Sequence, residues 1–192
     1  MDKTSFSDLK SCDPDLIVSR TGCQFDPIQA QYMVTVWDQP YCVDLKKYEI
    51  RPQDKELKTD HEYWHLFILY FLMKSKNLNP SGTWVSEKDI PGGATFFRGP
   101  HTIPTNLIAK RFGEDIDRFK RACENLKGIP LEMADAAFLF HITPTIPVAV
   151  LFWQGDEDFP SEAKLLFDRT IEQHLPLDII YALSVEVCHA LG

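Results

Sequence analysis

His61-Glu62-Tyr63-Trp64-His65 is a literal H-E-x-x-H. On a helix, imidazoles four residues apart share one face, so they can hold a zinc ion while the glutamate acts as general base. Such a site also needs a third protein ligand and an open coordination position. The following residues, Leu66 to Phe71, supply neither the glycine nor the third histidine of the extended motif, and Glu87 is a distant substitute. The motif also opens a very apolar helix, the setting of a core element rather than a cleft. His61 and His65 are therefore metal candidates beside a plain structural reading.

A second constellation is Gly155-Asp156-Glu157-Asp158-Phe159-Pro160, followed by Leu166-Phe167-Asp168-Arg169. Adjacent carboxylates at a strand end, with Asp168 folded back beside them, would bind a hard cation or work as paired acid and base. Capping and local charge balance are the structural alternative, and the EF-hand spacing is missing. A third group is Trp84, Phe96, Phe97 and Arg98, aromatics and a cation suited to a flat ligand, beside a Pro91-Gly92-Gly93 turn too short to cradle phosphate. The candidate ligand-binding residues are thus Trp84, Gly92, Gly93, Arg98, Asp156, Glu157 and Asp168. His101 and His174 read as surface-loop residues, and His141, within an apolar run, as a core histidine.

Composition narrows the classes. The 192 residues are 44% hydrophobic and 25% charged, an ordinary soluble balance that excludes disorder. A net charge of −8 would repel a phosphate backbone, so nucleic-acid binding is not expected. The N-terminus lacks a basic stretch followed by an apolar run, and the apolar segment 64–73 is about half a membrane span, so neither a signal peptide nor a membrane is expected. Five scattered cysteines without a C-x-x-C pair point to reduced thiols in a cytoplasmic protein, not to a disulfide framework or a bound iron–sulfur cluster.

The elements that must position these residues follow from periodicity. Asp13-Pro14-Asp15 caps a short helix stopped by Gly22. Residues 31–37 and 41–45 form a hairpin about Asp38-Gln39-Pro40, and 46–58 link it onward. Helices are expected over 61–76, 105–112, 114–126, 161–167 (capped by Ser161) and 176–190. Residues 135–142 and 146–153 make a second, central hairpin buried on both faces. The reading is one α+β domain over 1–192, antiparallel hairpins packed with five to six helices.

From His65 onward the sequence resembles a prokaryotic family known only as a domain of unknown function, number 3786. The resemblance is carried by Leu69-Tyr70-Phe71-Leu72, Gly82-Thr83-Trp84-Val85-Ser86, Pro91-Gly92-Gly93 and Phe112-Gly113. It continues in Leu151-Phe152-Trp153-Gln154-Gly155-Asp156-Glu157-Asp158-Phe159-Pro160, Leu166-Phe167-Asp168 and Leu175-Pro176, and defines a family-like core over about 65–192, with an N-terminal helix and hairpin over about 13–45. It implies an anaerobe and, through relatives with a cysteine-rich domain, a link to corrinoid or iron–sulfur proteins. This chain lacks that cysteine cluster, and the H-E-x-x-H is not part of the family pattern. The functional expectation is an accessory or ligand-binding domain serving a corrinoid, tetrapyrrole or iron–sulfur enzyme. A small-molecule enzyme using Asp156, Glu157 and Asp168 and a zinc hydrolase using His61, Glu62 and His65 are the alternatives.

Overall fold

Buried and exposed side chains alternate along Gln31–Val36, and this period of two builds the first of two antiparallel sheets in the computed structural model, which describes residues 3–54 and 62–192. The sheet is a meander of β1 (Gln24–Asp26), β2 (Gln31–Val36), β3 (Gln39–Asp44) and β4 (Glu49–Pro52). The β2–β3 turn is tighter than the sequence suggests: Val36 pairs with Gln39, leaving Trp37 and Asp38, both at positive φ, as a two-residue loop. β4 lies within the expected linker, because Val43 and Asp44 still offer an edge to Ile50 and Glu49.

The second sheet has the order β5-β9-β8-β7-β6, with β5 (Trp84–Val85), β6 (Ile129–Leu131), β7 (Ala136–Thr143), β8 (Ile146–Trp153) and β9 (Glu162–Asp168). The β7–β8 hairpin is central, as its apolar runs require. His141 is not a core residue: Phe140 and Ile142 point inward, so the pleat turns His141 out to solvent. The expected helix over 161–167 is strand β9. Glu, Ala, Lys and Leu favour a helix locally, but Ala163, Leu165 and Phe167 alternate with Glu162 and Lys164, and the open edge of β8 fixes that alternation in a ladder. Ser161 accordingly caps nothing; its hydroxyl donates to the Ala109 carbonyl at 3.0 Å.

The described helices are α1 (Lys3–Ser11), α2 (Pro14–Thr21), α3 (Glu62–Lys74), α4 (Gly93–Phe96), α5 (Asn106–Phe112), α6 (Ile116–Asn125), α7 (Ile171–His174) and α8 (Leu177–Leu191). The start and stop of α2 follow the sequence signals: Asp13 accepts from the Asp15 N–H, and Gly22 closes it at φ 69°. α3 is apolar nearly all round because it is the hub, packed on α8, α1 and α2. Its last carbonyls, Leu72 and Met73, accept from the Arg20 guanidinium at 2.6 Å each.

One core joins the two sheets. Trp37 donates its backbone N–H to the Ile142 carbonyl (2.8 Å), and its ring packs on Phe140 and Trp64. On the inner face of the second sheet, Phe119 of α6 stacks on Phe152 of β8 with ring centres 4.7 Å apart. The outer face carries Ala137, Ala149 and Leu151 beneath the partly buried Trp84, Trp153, Leu166 and Met133. The architecture is a single α+β domain, and among the described residues no helix is long and apolar enough to cross a membrane.

Candidate functional site

β5 stops after two residues because the next one turns the chain. Ser86 donates both its N–H (3.1 Å) and its hydroxyl (2.6 Å) to the Asp89 carboxylate, and these bonds hold that carboxyl below its ordinary pKa. Glycines seat the turn. A Cβ on Gly93 would overlap the Glu87 carbonyl oxygen, and Gly92 adopts φ 80°. Pro91-Gly92-Gly93 is therefore a close-approach device that packs the turn against α4.

With β5 so short, no strand pairs with residues 162–166 on that side of β9, and a cleft of about 860 Å³ lies beside it. Phe97, Ile103, Ala163 and Leu165 form its apolar wall, and Lys88, Arg98, Thr102, Thr105 and Asn106 its polar rim. The volume suits a small-molecule or peptide site. Arg98 is exposed, and among the described residues its guanidinium makes no ion pair or hydrogen bond. A smaller cavity of about 170 Å³ lies under the β2–β3 turn, between Trp37, Trp64 and Leu126.

The aromatic group anticipated beside Arg98 is divided by the sheet. Phe97 lines the cleft with it, whereas Trp84 lies on the outer face with Trp153 and Leu166. Phe96 faces away and stacks on His101 at 4.5 Å.

The acidic constellation is divided too. Asp156 sits in an exposed turn, its Oδ1 accepting from the Asp158 N–H (2.9 Å) and the Phe159 N–H (2.7 Å), while Glu157 is exposed. Asp168 lies at the opposite end of β9, roughly 20 Å along an extended strand from Glu162. There its buried carboxylate accepts from the Ser81 N–H and hydroxyl (3.0 Å each), the Gly82 N–H (2.7 Å) and the Thr170 N–H and hydroxyl (2.9 and 2.8 Å). Burial pushes its pKa up, but the donors from Thr170 and Ser81 outweigh it and hold the carboxyl below its usual value. Asp168 is a clamp that fastens the strand-entry turn 81–82 to the end of β9.

His61 lies outside the described residues; Glu62 is exposed at the start of α3 and His65 is half-buried. Among the described residues no group of three or more His, Cys, Asp or Glu is placed to hold a metal ion. The cysteines do not suit an iron–sulfur cluster. They are dispersed, four of the five are buried, and burial raises Cys188 to about 12 and pushes Cys23 and Cys123 up as well, against the thiolate a cluster needs.

His174 is not the loop residue its neighbours suggest, because α7 tucks its ring beneath the end of α3, where it is 2% exposed. Its Nδ1 accepts from the Lys76 N–H at 3.2 Å, so the neutral ring carries its proton on Nε2, which is buried with no hydrogen-bond partner. Burial, then the Lys76 charge, lowers its pKa against the pull of Asp168. The folded value lies below the unfolded one of about 6.5, so stability is complete above that pH and declines as pH falls toward the folded value. Urea midpoints are expected to drop from pH 7 to pH 5, and the His174→Leu protein to lose most of that drop.

Residues the sequence did not single out, Lys88, Thr102, Thr105 and Asn106, complete the cleft, and the alternation of residues 162–167 was the signal for its strand wall. The chain matches the family model described as "Domain of unknown function (DUF3786)" over residues 13–190, which takes in the N-terminal hairpin as well as the region beyond His65. No curated protein and no solved structure matches it. With nearly its whole length matched, the chain belongs to the DUF3786 family.

Proposed function

We propose that this chain is a cytoplasmic accessory domain that binds a ligand or partner in the β9 cleft and serves a corrinoid, tetrapyrrole or iron–sulfur enzyme of anaerobic metabolism. The observation that carries the binding role is the cleft itself: an apolar wall beside β9, rimmed by Arg98 and Lys88, which have no carboxylate partners among the described residues. Pockets of this size with a few convergent polar groups are where ligands bind. The enzyme link rests on the relatives that the sequence resembles. Because the cysteines here do not suit a cluster, an iron–sulfur cluster belongs to the partner and this chain supplies recognition. The acidic residues favour no catalytic reading, since Asp156 and Asp168 are spent on separate turns.

The test is anaerobic purification of the tagged chain from its native host, as the natural sequence and as Arg98→Glu, with metal content, an ultraviolet–visible spectrum and identification of co-purifying proteins. The expected result is a coloured partner retained by the natural chain and lost from Arg98→Glu. A colourless, unaccompanied protein in both cases ends the accessory reading, and stoichiometric zinc in the chain would instead return attention to His61 and His65.

A further inference from the structure

The cavity of about 170 Å³ under the β2–β3 turn lies where the first sheet meets the rest of the molecule. Val36 and Tyr41 reach it from the sheet, Trp64 from the start of α3, Leu126 from the end of α6 and Ala190 from α8. It shares no lining residue with the β9 cleft. Its walls are aromatic. Trp37 and Trp64 meet with ring centres 6.1 Å apart and planes at 68°, and the buried Tyr41 lines the same space. Indoles set at this angle offer both a face and an edge, the two approaches that a further aromatic ring prefers.

The backbone at the cavity points the same way. Six described non-glycine residues adopt positive φ, and three of them line this one space: Trp37 at 47°, Asp38 at 61° and Lys127 at 59°. The turns explain these angles but not these residues. A two-residue hairpin loop favours Asn-Gly, and the left-handed position after a helix favours glycine. Trp37 and Lys127 take those places instead, and residues held in such conformations collect at ligand sites. Their side chains build the cavity. The Trp37 indole forms a wall, and the exposed Lys127 pairs with Asp38 at 3.3 Å at the opening. That pair cancels its own charge, so a cationic ligand would compete with Lys127 and an anionic one with Asp38. Inside, the Trp37 indole N–H donates to the Leu126 carbonyl at 3.4 Å, a long bond that leaves the carbonyl a lone pair for a second donor.

We propose that this cavity is a second binding site, for a neutral aromatic ring of about the size of phenol, seated against Trp37 and Trp64 with a hydrogen-bond donor on the Leu126 carbonyl. The size follows from the volume, since an apolar cavity of roughly 150 Å³ holds benzene. The site goes beyond the accessory-domain reading and does not depend on it. A ring bound here touches the first sheet, α3, α6 and α8 together, so its binding favours the closed junction between them.

The test titrates phenol, cyclohexanol, tetramethylammonium and inorganic phosphate into the natural full chain and follows its four indole N–H signals. Phenol should shift the Trp37 and Trp64 signals and the Lys127 amide, leaving Trp84 and Trp153, on the outer face of the second sheet, unmoved. Cyclohexanol carries the same donor on a puckered ring and should bind about tenfold more weakly. Ala190→Leu fills the cavity from α8 and should abolish the phenol shifts while the other amide signals report an intact fold. Ala190→Val is the milder filling if the leucine protein does not fold. Arg98→Glu, in the β9 cleft, should bind phenol as the natural chain does. No shift, equal movement of all four indole signals, or binding retained in the filled variant overturns the site. A preference for tetramethylammonium or phosphate, or equal binding of cyclohexanol, overturns the neutral aromatic ligand. None of these outcomes bears on the partner purification that tests the β9 cleft.

Discussion

Replacing Asp168 with alanine is expected to lower stability by about 4 kcal/mol. One buried carboxylate accepts from Ser81 twice, Gly82 once and Thr170 twice. Its removal leaves backbone N–H groups of two separate turns without an acceptor, and a buried orphan donor costs about 1–3 kcal/mol. Asp168→Asn keeps the shape and one acceptor oxygen, so about half that loss is expected at neutral pH. The pH dependence separates charge from shape. The folded pKa of Asp168 is depressed, so its contribution is complete above the unfolded value of about 3.9 and vanishes as pH falls through the folded value. Urea titrations at pH 7 and pH 3 check this: the natural chain should lose stability on acidification, and Asp168→Asn should lose distinctly less. Equal slopes for the two would show that the clamp does not depend on charge.

Gly93→Ala is expected to cost about 3 kcal/mol and to remodel the cleft as well. The added methyl meets the Glu87 carbonyl, which is backbone and cannot rotate away, so the turn after β5 has to move. Gly22→Ala offers the contrast. Its Cβ meets nothing within 4 Å, and only the cost of φ 69° remains, about 1 kcal/mol. Thermal unfolding of both proteins measures the difference. Amide spectra of Gly93→Ala should show shifts concentrated at Ser86 to Asp89 and at Leu165, and an unchanged spectrum there would mean that the turn tolerates the methyl.

The sequence discloses those parts of the fold whose local preferences and burial agree. Residues 31–37 with 41–45, and 135–142 with 146–153, alternate or run apolar between turn residues, and both became hairpins. The helices over 13–22, 105–112 and 176–190 carry their own caps or stops and lie within a residue or two of α2, α5 and α8. Residues 161–167 failed because their composition is helical while their burial alternates, and only the edge of β8 decides between the two. His174 failed for a similar reason, since a four-residue helix conveys no burial of its own until it docks against α3. At the site, Arg98 was legible as an isolated cation among aromatics. The cleft beside it was not, because it is defined by where β5 ends, and that depends on a Ser86–Asp89 bond and a glycine contact rather than on any residue of β9.

The Asp168 clamp also bears on the order in which the chain assembles. The four strands of the first sheet are sequential neighbours and can zip as successive hairpins, whereas Gly82 and Asp168 are 86 residues apart. Bringing them together before β7, β8 and β9 have formed would mean closing a long, unstructured loop for a few hydrogen bonds, an entropic cost that nothing yet formed would offset. β5 is therefore a latecomer, joined to a sheet that already exists. Weakening its clamp should hasten unfolding and leave the folding rate almost untouched. In a folded population, the β5 edge beside the cleft is then the first part of the sheet to open and the last to close.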